Sequence, residues 1–441
     1  MKIVLIGGGS YVFAPSVIKD VIIDSKLTNF DFVLVDINLE AAQLLAKAAA
    51  RIAKAEGVNV NVSATNNREE ALAGASYVIT SIAVQGEKRW LMDYEICKQE
   101  GIPQELRETG ALSGITYALR NATLIMDVCR DMERLCPSAI LLNVSNPLTR
   151  LHEAINRYTK IEAYGFCSVA QCGQYGYERI ATGLGLHYSD IDVVSAGINH
   201  FSWVISIRDK KTGADLFPAY IDSLILKEKT DNESSVTLRW YRKYGALIAP
   251  PVDHVGDFLP AQDGVHYLTQ PPFHGNAEER ARRIDNMKRF ADGEVEYGDN
   301  MGEHATNIYR QIFVHGASWE HPGLFAVARH RGDNLCLPAL NLPNRGYLPQ
   351  LPADAIVEIP AHLCAGKLEP MSGIMLPSGV VDMCLNQCEV AAIVAKAAVE
   401  GDRAAAKTAI EIDQAITHKA AATRALEKIL EIHADIMPQF N

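Results

Sequence analysis

The 441-residue sequence shows neither a disulfide framework nor a membrane-spanning segment that could stabilise the fold in addition to a hydrophobic core. Its nine cysteines are an odd number without tightly paired spacing, which is untypical of a disulfide framework. It also has no run of about 18 apolar residues, the length that a membrane-spanning helix needs. With 48% hydrophobic and 22% charged residues, the composition is that of an ordinary globular protein, which is stabilised by burying apolar surface.

Positive charge is in deficit. The chain has 42 Lys and Arg against 53 Asp and Glu, which leaves a net charge of −11. General nucleic-acid binding needs a basic surface and anionic membranes repel acidic chains, so we expect neither as a partner. The N-terminal apolar run over 3–6 is too short for a signal peptide and leads directly into glycines. The expected compartment is therefore the reducing cytoplasm.

Short apolar runs alternate with helical patterns in the N-terminal part of the chain. Strands are predicted over 3–6, 32–35, 58–64, 77–82 and 139–144, and helices over 16–24, 39–55 and 115–135. This alternation predicts an α/β fold with a Rossmann-like, doubly wound parallel sheet. We expect this nucleotide-binding domain to cover residues 1–195.

The pattern changes after residue 195. A strand is predicted over 203–208, a highly charged helix over 277–294 and a proline-rich loop over 343–352. Residues 390–434 are alanine-rich and are predicted to be helical, with a break only at Gly401. We therefore expect a mixed α+β domain over 196–441. Its predicted architecture resembles the C-terminal part of lactate and malate dehydrogenases.

A glycine-rich segment follows the first predicted strand and precedes a helix. It reads Gly7-Gly8-Gly9-Ser10, and glycines at this place let a pyrophosphate approach the backbone N–H groups. Asp36 ends the second strand, where an acid can bind a ribose 2′-hydroxyl and would repel a 2′-phosphate. These residues predict NAD binding. The alternative is a glycine turn that only joins strand to helix, with Asp36 on the surface.

Asn143 and Asn146 follow another predicted strand. Ligands of an open α/β sheet bind beyond the carboxyl ends of its strands, so Asn146 is a candidate for contact with nicotinamide or a sugar hydroxyl. The interpretation favoured by the sequence alone is plainer. Asn146 would cap a helix that has Pro147 at its first position.

A thiol and an imidazole each follow a short apolar run, Cys167 after 161–166 and His200 after 193–199. Together they could supply two ligands to a divalent metal and leave positions open for a chelating substrate. Taken singly, Cys167 is more typical of a buried apolar position, and His200 of a hydrogen-bonded residue.

Three further residues are candidates for contact with a substrate. Asp253 lies in a proline-held loop that could present a carboxylate as a base, although a solvated turn is the simpler explanation. Tyr244 lies upstream and could also reach a cleft, although such a tyrosine is more often a packing residue. Arg310 could clamp a carboxylate or phosphate, although a helical arginine is usually exposed.

In combination these motifs resemble glycoside hydrolase family 4, the NAD- and metal-dependent glycosidases. The resemblance spans almost the whole chain. It rests on the following segments in this order: Gly7-Gly8-Gly9-Ser10, Asn143-x-x-Asn146-Pro147, Gly165-Phe166-Cys167, Gly197-Ile198-Asn199-His200-Phe201 and Asn341-Leu342-Pro343-Asn344-Arg345-Gly346.

The resemblance implies an unusual mechanism, because NAD-dependent glycosidases are exceptions to the two-carboxylate rule. A tightly held NAD takes a hydride from C3 of the sugar, and a divalent metal, usually Mn²⁺, polarises the resulting ketone. A base then removes the C2 proton, the glycosidic oxygen leaves, water adds, and the hydride returns. NAD is therefore not consumed.

The resemblance also implies roles for individual residues. Cys167 and His200 would bind the metal, and Asn146 would contact the substrate. Asp253 would be the base, with Tyr244 as the alternative, and Glu108 matches an acidic residue of the family pattern. The remaining expected contacts are Asn143 with the cofactor, and Asn199, Arg310 and Arg345 with the substrate.

The sequence departs from the family pattern in two places. The usual Gly-Pro-Gly-Gly is replaced by Ala111-Leu112-Ser113-Gly114, and Ser168 follows the cysteine where relatives have His, Asp or Asn. Ser168 leaves the general acid unassigned. Similarity to the α-galacturonidase branch over 244–260 and 341–358 favours an unphosphorylated, uronic or neutral α-glycoside. A 6-phospho-α-glucosidase type of activity is the alternative within the family.

Two hypotheses of other classes compete with a glycosidase. An NAD-dependent dehydrogenase of a small hydroxy acid or sugar would use a similar fold, and a protein that only binds NAD or sugar would explain the altered loop. The family resemblance also implies a homodimer or homotetramer.

Overall fold

A computed structural model describes residues 1–11, 13–102, 109–167, 176–260, 263, 277–295 and 321–441. Three residues named above, Glu108, Ser168 and Arg310, lie outside these ranges. Their predicted roles therefore stay predictions.

Parallel strands form the N-terminal half of the sheet. They are β1 (Lys2–Ile6), β2 (Phe30–Val35), β3 (Val60–Thr65), β4 (Tyr77–Thr80), β5 (Ile140–Asn143) and β6 (Ala163–Gly165). Their order is β3-β2-β1-β4-β5-β6, and each neighbouring pair is parallel. Most of these strands are apolar on both faces because helices cover the sheet on both sides.

The covering helices follow the strands along the chain. They are α1 (Ala14–Ile18), which continues as a π-helix (Lys19–Asp24), α2 (Leu39–Ala55), α3 (Arg68–Leu72), α4 (Gly86–Gln99), α5 (Ala111–Leu135) and α6 (Leu148–Tyr158). Asn38 caps α2 by accepting a hydrogen bond from Ala41 N at 3.2 Å. The predicted doubly wound α/β architecture is confirmed. Helix α4 was not predicted, because its apolar residues do not gather on one face.

Antiparallel strands extend the same sheet. They are β7 (Ile191–Ile198), β8 (Phe201–Asp209), β9 (Leu247–Ile248), β10 (Leu335–Pro343), β11 (Ile356–Cys364) and β12 (Lys367–Pro370). The order continues from β6 as β10-β11-β7-β8-β9, and β12 pairs with β11. The domain boundary predicted after residue 195 thus falls inside β7, in a sheet that runs on across it, and the division into domains stays a prediction.

The C-terminal helices pack on both parts of the sheet. They are α7 (Gly176–Gly183), α8 (Phe217–Lys227), α9 (Asn232–Tyr244), α10 (Val252–Val255), α11 (Ala277–Asp292), α12 (Pro322–Arg331), α13 (Val381–Glu400), α14 (Arg403–Ile412) and α15 (Lys419–Ile432). The prediction of a single break at Gly401 is wrong, since a second break follows Ile412. There the buried Asp413 accepts hydrogen bonds from Ala415 N and Gln387 Nε2, at 3.0 and 2.9 Å, and so stabilises a turn instead of a helix.

Alternate residues of the central strands enter two separate hydrophobic cores. Ile3 and Leu5 of β1 pack on one side of the sheet, and Val4 and Ile6 pack on the other. The segment 378–400 is long and apolar enough to cross a membrane by length and composition. It packs against α5, α6 and α14 inside the protein, as a core helix does.

A buried cluster of polar side chains links the C-terminal segment of the chain to helices α4 and α5 by hydrogen bonds. His433 Nε2 donates to Asp93 Oδ1 at 2.6 Å, and His433 Nδ1 accepts from Arg89 Nη1 at 3.1 Å. Arg120 Nη1 donates to Asp93 Oδ2 at 2.6 Å, and Arg89 also binds Asp435. Asp93, Arg120 and His433 are almost completely buried, so each needs these partners.

Replacing His433 by alanine should destabilise the protein by about 2–3 kcal/mol, because Asp93 and Arg89 lose a buried partner. Urea-induced unfolding measures this loss. The exposed His418 provides the control, and His418→Ala should change stability by no more than about 0.5 kcal/mol. If the two substitutions lower the free energy of unfolding equally, His433 does not stabilise the protein through its buried hydrogen bonds.

Candidate active site

The glycine-rich segment forms a tight turn between β1 and α1. Gly7 has φ +91°, and a Cβ there would lie 2.0 Å from Ser81 O. Gly7 N and Gly8 N donate to Val35 O at 2.9 and 3.0 Å, and Gly9 N donates to Asp36 Oδ2 at 2.9 Å. The turn therefore passes against the ends of β2 and β4, where side chains on these glycines would collide.

A cavity of about 980 Å³ opens above this turn. Its lining includes the predicted residues Gly7, Gly9, Ser10, Asp36 and Asn146. The lining also includes residues that the sequence did not single out, among them Asn66, Arg68, Ile82, Trp90 and Tyr117. These come from connections and helices whose sequences carry no motif, so only the fold could reveal them.

Gly8 and Asn143 lie behind the cavity lining. A Cβ on Gly8 would be 2.7 Å from Leu34 Cβ, which shows that Gly8 faces the sheet. Asn143 is fully buried, and its Oδ1 accepts from Thr80 Oγ1 and Ser145 N at 2.9 and 3.0 Å. The Asn143 amide therefore holds the loop that follows β5, and its predicted contact with the cofactor stays a prediction.

Asn146 itself lines the cavity. The favoured interpretation of Asn146 as a helix cap is wrong, because α6 begins at Leu148 and Pro147 occupies the cap position without a side-chain hydrogen bond. The Asn146 carbonyl oxygen accepts from Asn121 Nδ2 at 2.9 Å, which fixes the loop against α5. The carboxyl end of β5 thus directs Asn146 towards the bound ligand of this fold class.

Cys167 and His200 lie together although they come from different parts of the sheet. Cys167 follows β6 by two residues, and His200 lies in the two-residue turn between β7 and β8 with φ +64°. Cys167 Sγ and His200 Nε2 are 3.4 Å apart, and both residues are buried. Because β6 pairs with β5 in parallel, Cys167 stands next to the loop that carries Asn146.

The surroundings of His200 orient its ring and keep it neutral. His200 Nδ1 is 3.0 Å from Thr109 Oγ1, and no motif in the sequence indicates Thr109 as a partner. Burial, with repulsion from His254, holds the pKa of His200 well below its ordinary value. A neutral imidazole with one nitrogen held by a second group is the form in which histidine binds metals.

Asp253 is connected to this pair through its neighbour. Asp253 Oδ1 and His254 Nδ1 are 2.6 Å apart, and the His254 ring lies 4.9 Å from that of His200 between centroids. Burial raises the pKa of Asp253, but the interaction with His254 outweighs it and the pKa lies below its ordinary value. The adjacent sequence positions of Asp253 and His254 were visible, but the contact of His254 with His200 was not.

Tyr244 has a different environment. It ends α9, and its hydroxyl donates to Asp263 Oδ2 at 2.6 Å. Burial and this carboxylate raise the pKa of Tyr244 well above its ordinary value. A phenol that is harder to ionise is a poorer base at neutral pH, so this geometry favours Asp253 over Tyr244.

Two predicted substrate contacts have other surroundings. Asn199 precedes His200, but its Nδ2 donates to the buried Glu358 Oε2 at 2.8 Å. Arg345 is exposed and lines a separate cavity of about 160 Å³. Residues 161–164, at the beginning of β6, line the same cavity, whereas Cys167 lies beyond the end of β6. Arg345 thus lies near the residues that lead into β6, and its predicted contact with the substrate stays a prediction.

The chain therefore has a cavity of about 980 Å³ at the carboxyl ends of its parallel strands and a buried thiol–imidazole pair that includes the residue two positions after β6. A model of the family 4 glycosyl hydrolases matches residues 2–182, and a model of their C-terminal domain matches residues 195–416. The chain belongs to glycosyl hydrolase family 4. The resemblance found in the motifs is thereby confirmed, and so is the prediction of a glycosidase.

Curated relatives of this family 4 protein span nearly its whole length. An α-galactosidase of Bacillus subtilis is 28% identical over 417 residues, which cover 93% of this chain and 92% of the relative. An α-galacturonidase of Thermoanaerobacter italicus is 26% identical over 417 residues, covering 88% of this chain and 85% of the relative. The relatives thus include enzymes for neutral and for uronic sugars.

Solved structures agree in fold. A 6-phospho-α-glucosidase from gut microorganisms, crystallised in complex with NAD and Mn²⁺, superposes with a TM-score of 0.78 at 19% identity over 100% of this chain and 99% of that chain. A malate dehydrogenase from Plasmodium falciparum reaches a TM-score of 0.51 at 14% identity over 90% of this chain and 99% of that chain. The predicted likeness to malate dehydrogenase is therefore one of fold, while the family membership is that of the glycosidases.

The neutral state of His200 can be tested by NMR on chelator-treated protein. Since burial lowers its pKa, the ring should gain a proton only well below pH 6.5, and its ring-proton signals should stay constant between pH 8 and 6. The His200→Gln variant assigns the signals. Thr109→Val should leave this behaviour unchanged, because burial is the main cause. A titration centred near pH 6.5 would contradict it.

Proposed function

We propose that this family 4 enzyme is an NAD- and Mn²⁺-dependent glycosidase that acts on an unphosphorylated α-glycoside, either an α-galactoside or an α-galacturonide. The observation that carries the proposal is the Cys167–His200 pair, whose Sγ and Nε2 atoms are 3.4 Å apart. Cys167 follows β6, which pairs in parallel with β5, and the loop after β5 carries Asn146 of the cavity lining. A dehydrogenase of hydroxy acids has no use for a buried thiol next to an imidazole at this place.

The cavity suits a dinucleotide. Glycines at 7 and 9 leave the backbone accessible where a Cβ would clash with Ser81 or with Asp36. The start of the first helix stands beyond the turn, where N–H groups attract a pyrophosphate. Asp36 at the end of β2 favours NAD, because its carboxylate would repel the 2′-phosphate of NADP.

The thiol–imidazole pair suits a divalent metal. A thiolate and an imidazole nitrogen are both ligands of divalent transition metals. Cys167 Sγ and His200 Nε2 are 3.4 Å apart, so both would be able to bind one ion. Thr109 orients the ring from its other nitrogen, which is the usual arrangement behind a histidine ligand.

When bound, NAD would accept and return a hydride, and Mn²⁺ would polarise a sugar oxygen. Side chains of this protein would hold the sugar and the metal in place. Asn146 would bind sugar hydroxyls beside the nicotinamide, and Cys167 and His200 would hold the metal. Both residues of the pair are buried, which limits the access of water to these two ligands.

Asp253 is the base that we propose for proton removal from the sugar. Its carboxylate is 44% exposed, so a substrate can reach it, and His254 holds it by a hydrogen bond beside His200. Its lowered pKa keeps it ionised at neutral pH. The roles of Glu108 and Arg310 are retained as proposals from the family pattern, in which Arg310 would meet a substrate carboxylate.

We further propose that the enzyme works in the cytoplasm as a homodimer or homotetramer. Cys167 must stay reduced to bind a metal, which a reducing compartment provides. Light scattering coupled to gel filtration measures the oligomeric state, and a monomer would contradict this part of the proposal.

A panel of aryl glycosides tests the activity. With NAD, Mn²⁺ and reductant, we expect the aglycone to be released from the α-galactoside or the α-galacturonide without accumulation of NADH. In D₂O the product should carry deuterium at C2, because a base removes that proton and solvent replaces it. Cleavage of the 6-phospho-α-glucoside alone would contradict the substrate class, and accumulation of NADH without cleavage would indicate a dehydrogenase.

Substitutions of the metal pair test the site itself. Cys167→Ser and His200→Ala should each weaken Mn²⁺ binding at least tenfold, because each removes one of two proposed protein ligands. Electron paramagnetic resonance of free Mn²⁺ measures the affinity, and NAD affinity should be kept. Cys129→Ser, at a fully buried cysteine of α5, is the matched control and should bind Mn²⁺ as the wild type does. Unchanged affinity in both site variants would exclude this pair as the metal site.

A further inference from the structure

A buried carboxylate outside the proposed chemistry lies behind the metal pair. Glu358 stands in β11 and is 2% exposed. Its neighbours across the sheet are Asn341 of β10 on one side and Gly197 of β7 on the other, and Asn341 is in turn paired with Gly165 of β6. Glu358 thus occupies the row of residues that links the strand before Cys167 to the strand before His200.

The side-chain contacts of Glu358 follow the same line. Oε2 accepts a hydrogen bond from Asn199 Nδ2 at 2.8 Å and another from Asn341 Nδ2 at 3.1 Å. Asn199 is the residue immediately before His200 in the turn, and Asn341 Nδ2 is also 3.5 Å from Gly165 O, two residues before Cys167. One carboxylate oxygen therefore connects, through Asn199 and Asn341, the turn that carries His200 with the strand that precedes Cys167.

The glycines at both ends of this row make room for the connection. A Cβ on Gly165 would lie 2.9 Å from Asn341 Cβ, and a Cβ on Gly197 would lie 2.6 Å from Phe201 O. A buried carboxylate is costly unless hydrogen bonds satisfy it, and burial indeed raises the pKa of Glu358 while the two asparagine amides oppose that rise. An apolar residue would pack here at lower cost, so stability alone does not account for a glutamate.

We propose that Glu358 is a positioning residue for the metal site, which holds the His200 turn at the correct distance from Cys167 through Asn199 and Asn341. The proposal rests on the proposed function, because it assumes that Cys167 and His200 bind Mn²⁺. Groups behind the ligands set the position of those ligands, and their loss commonly costs 10–100-fold in metal affinity.

The test compares Glu358→Ala with Glu358→Gln in the NAD-loaded protein. Alanine removes the acceptor, so Mn²⁺ should bind about 10–100-fold more weakly, as measured by electron paramagnetic resonance. Glutamine keeps a carbonyl oxygen that can accept from both asparagines, so its Mn²⁺ affinity should lie within about threefold of the wild type. With Co²⁺ in place of Mn²⁺, the thiolate-to-cobalt charge-transfer band should weaken in the alanine variant and persist in the glutamine variant.

Glu153→Ala is the matched control for disturbance of β11. Glu153 is also a fully buried carboxylate, but its Oε1 accepts from Ile356 N at the start of β11 and its Oε2 binds Arg157. This variant should melt at a lower temperature and yet bind Mn²⁺ within about threefold of the wild type. If Glu358→Ala does not fold, Asn199→Ala removes the same link from the other side and should weaken Mn²⁺ binding in the same direction.

The outcomes separate the two proposals. Wild-type Mn²⁺ affinity and an unchanged cobalt spectrum in a folded Glu358→Ala or Asn199→Ala variant overturn the positioning role and leave the metal site intact. If Glu153→Ala weakens Mn²⁺ binding as much as Glu358→Ala does, the positioning role is also overturned, because any disturbance of β11 would then have the same effect. Failure of the wild type to bind Mn²⁺ overturns the proposed function and the positioning role together.

Discussion

One row of paired residues across the sheet is the constraint on which the site depends. Successive neighbours in this row are Val35, Ile6, Thr80, Asn143, Gly165, Asn341, Glu358 and Gly197. Five of the predicted site residues follow a member of this row within three positions. Gly7 follows Ile6, Asp36 follows Val35, Asn146 follows Asn143, Cys167 follows Gly165 and His200 follows Gly197.

The polar members of this row serve the site from behind. Asn143 holds the loop that presents Asn146, and Glu358 with Asn341 and Asn199 connects the elements that present Cys167 and His200. These groups are buried, and their hydrogen bonds join them to neighbouring positions of the sheet. The sheet therefore supplies rigidity for the ligands, while the residues at the surface of the cavity remain available for cofactor and sugar.

The same sheet explains why this family shares a fold with dehydrogenases and yet has other chemistry. The parallel half provides a dinucleotide cavity that many unrelated activities use. What distinguishes this chain is a thiol from the end of the parallel half and an imidazole from a turn of the antiparallel half, which meet at 3.4 Å. The proposed metal site therefore lies at the junction of the two halves.

The strand and helix alternation, the glycine turn with Asp36 and the motifs that indicate family 4 could all be predicted from the sequence. Such features depend on neighbouring residues and on periodicity, which a single sequence displays. Three other findings needed the folded chain: Asn143 is buried against Thr80, Arg345 lines a separate cavity, and Thr109, His254 and Glu358 lie around the proposed metal pair. These contacts join residues far apart in the chain, and their spacing carries no signal until strand pairing brings them together.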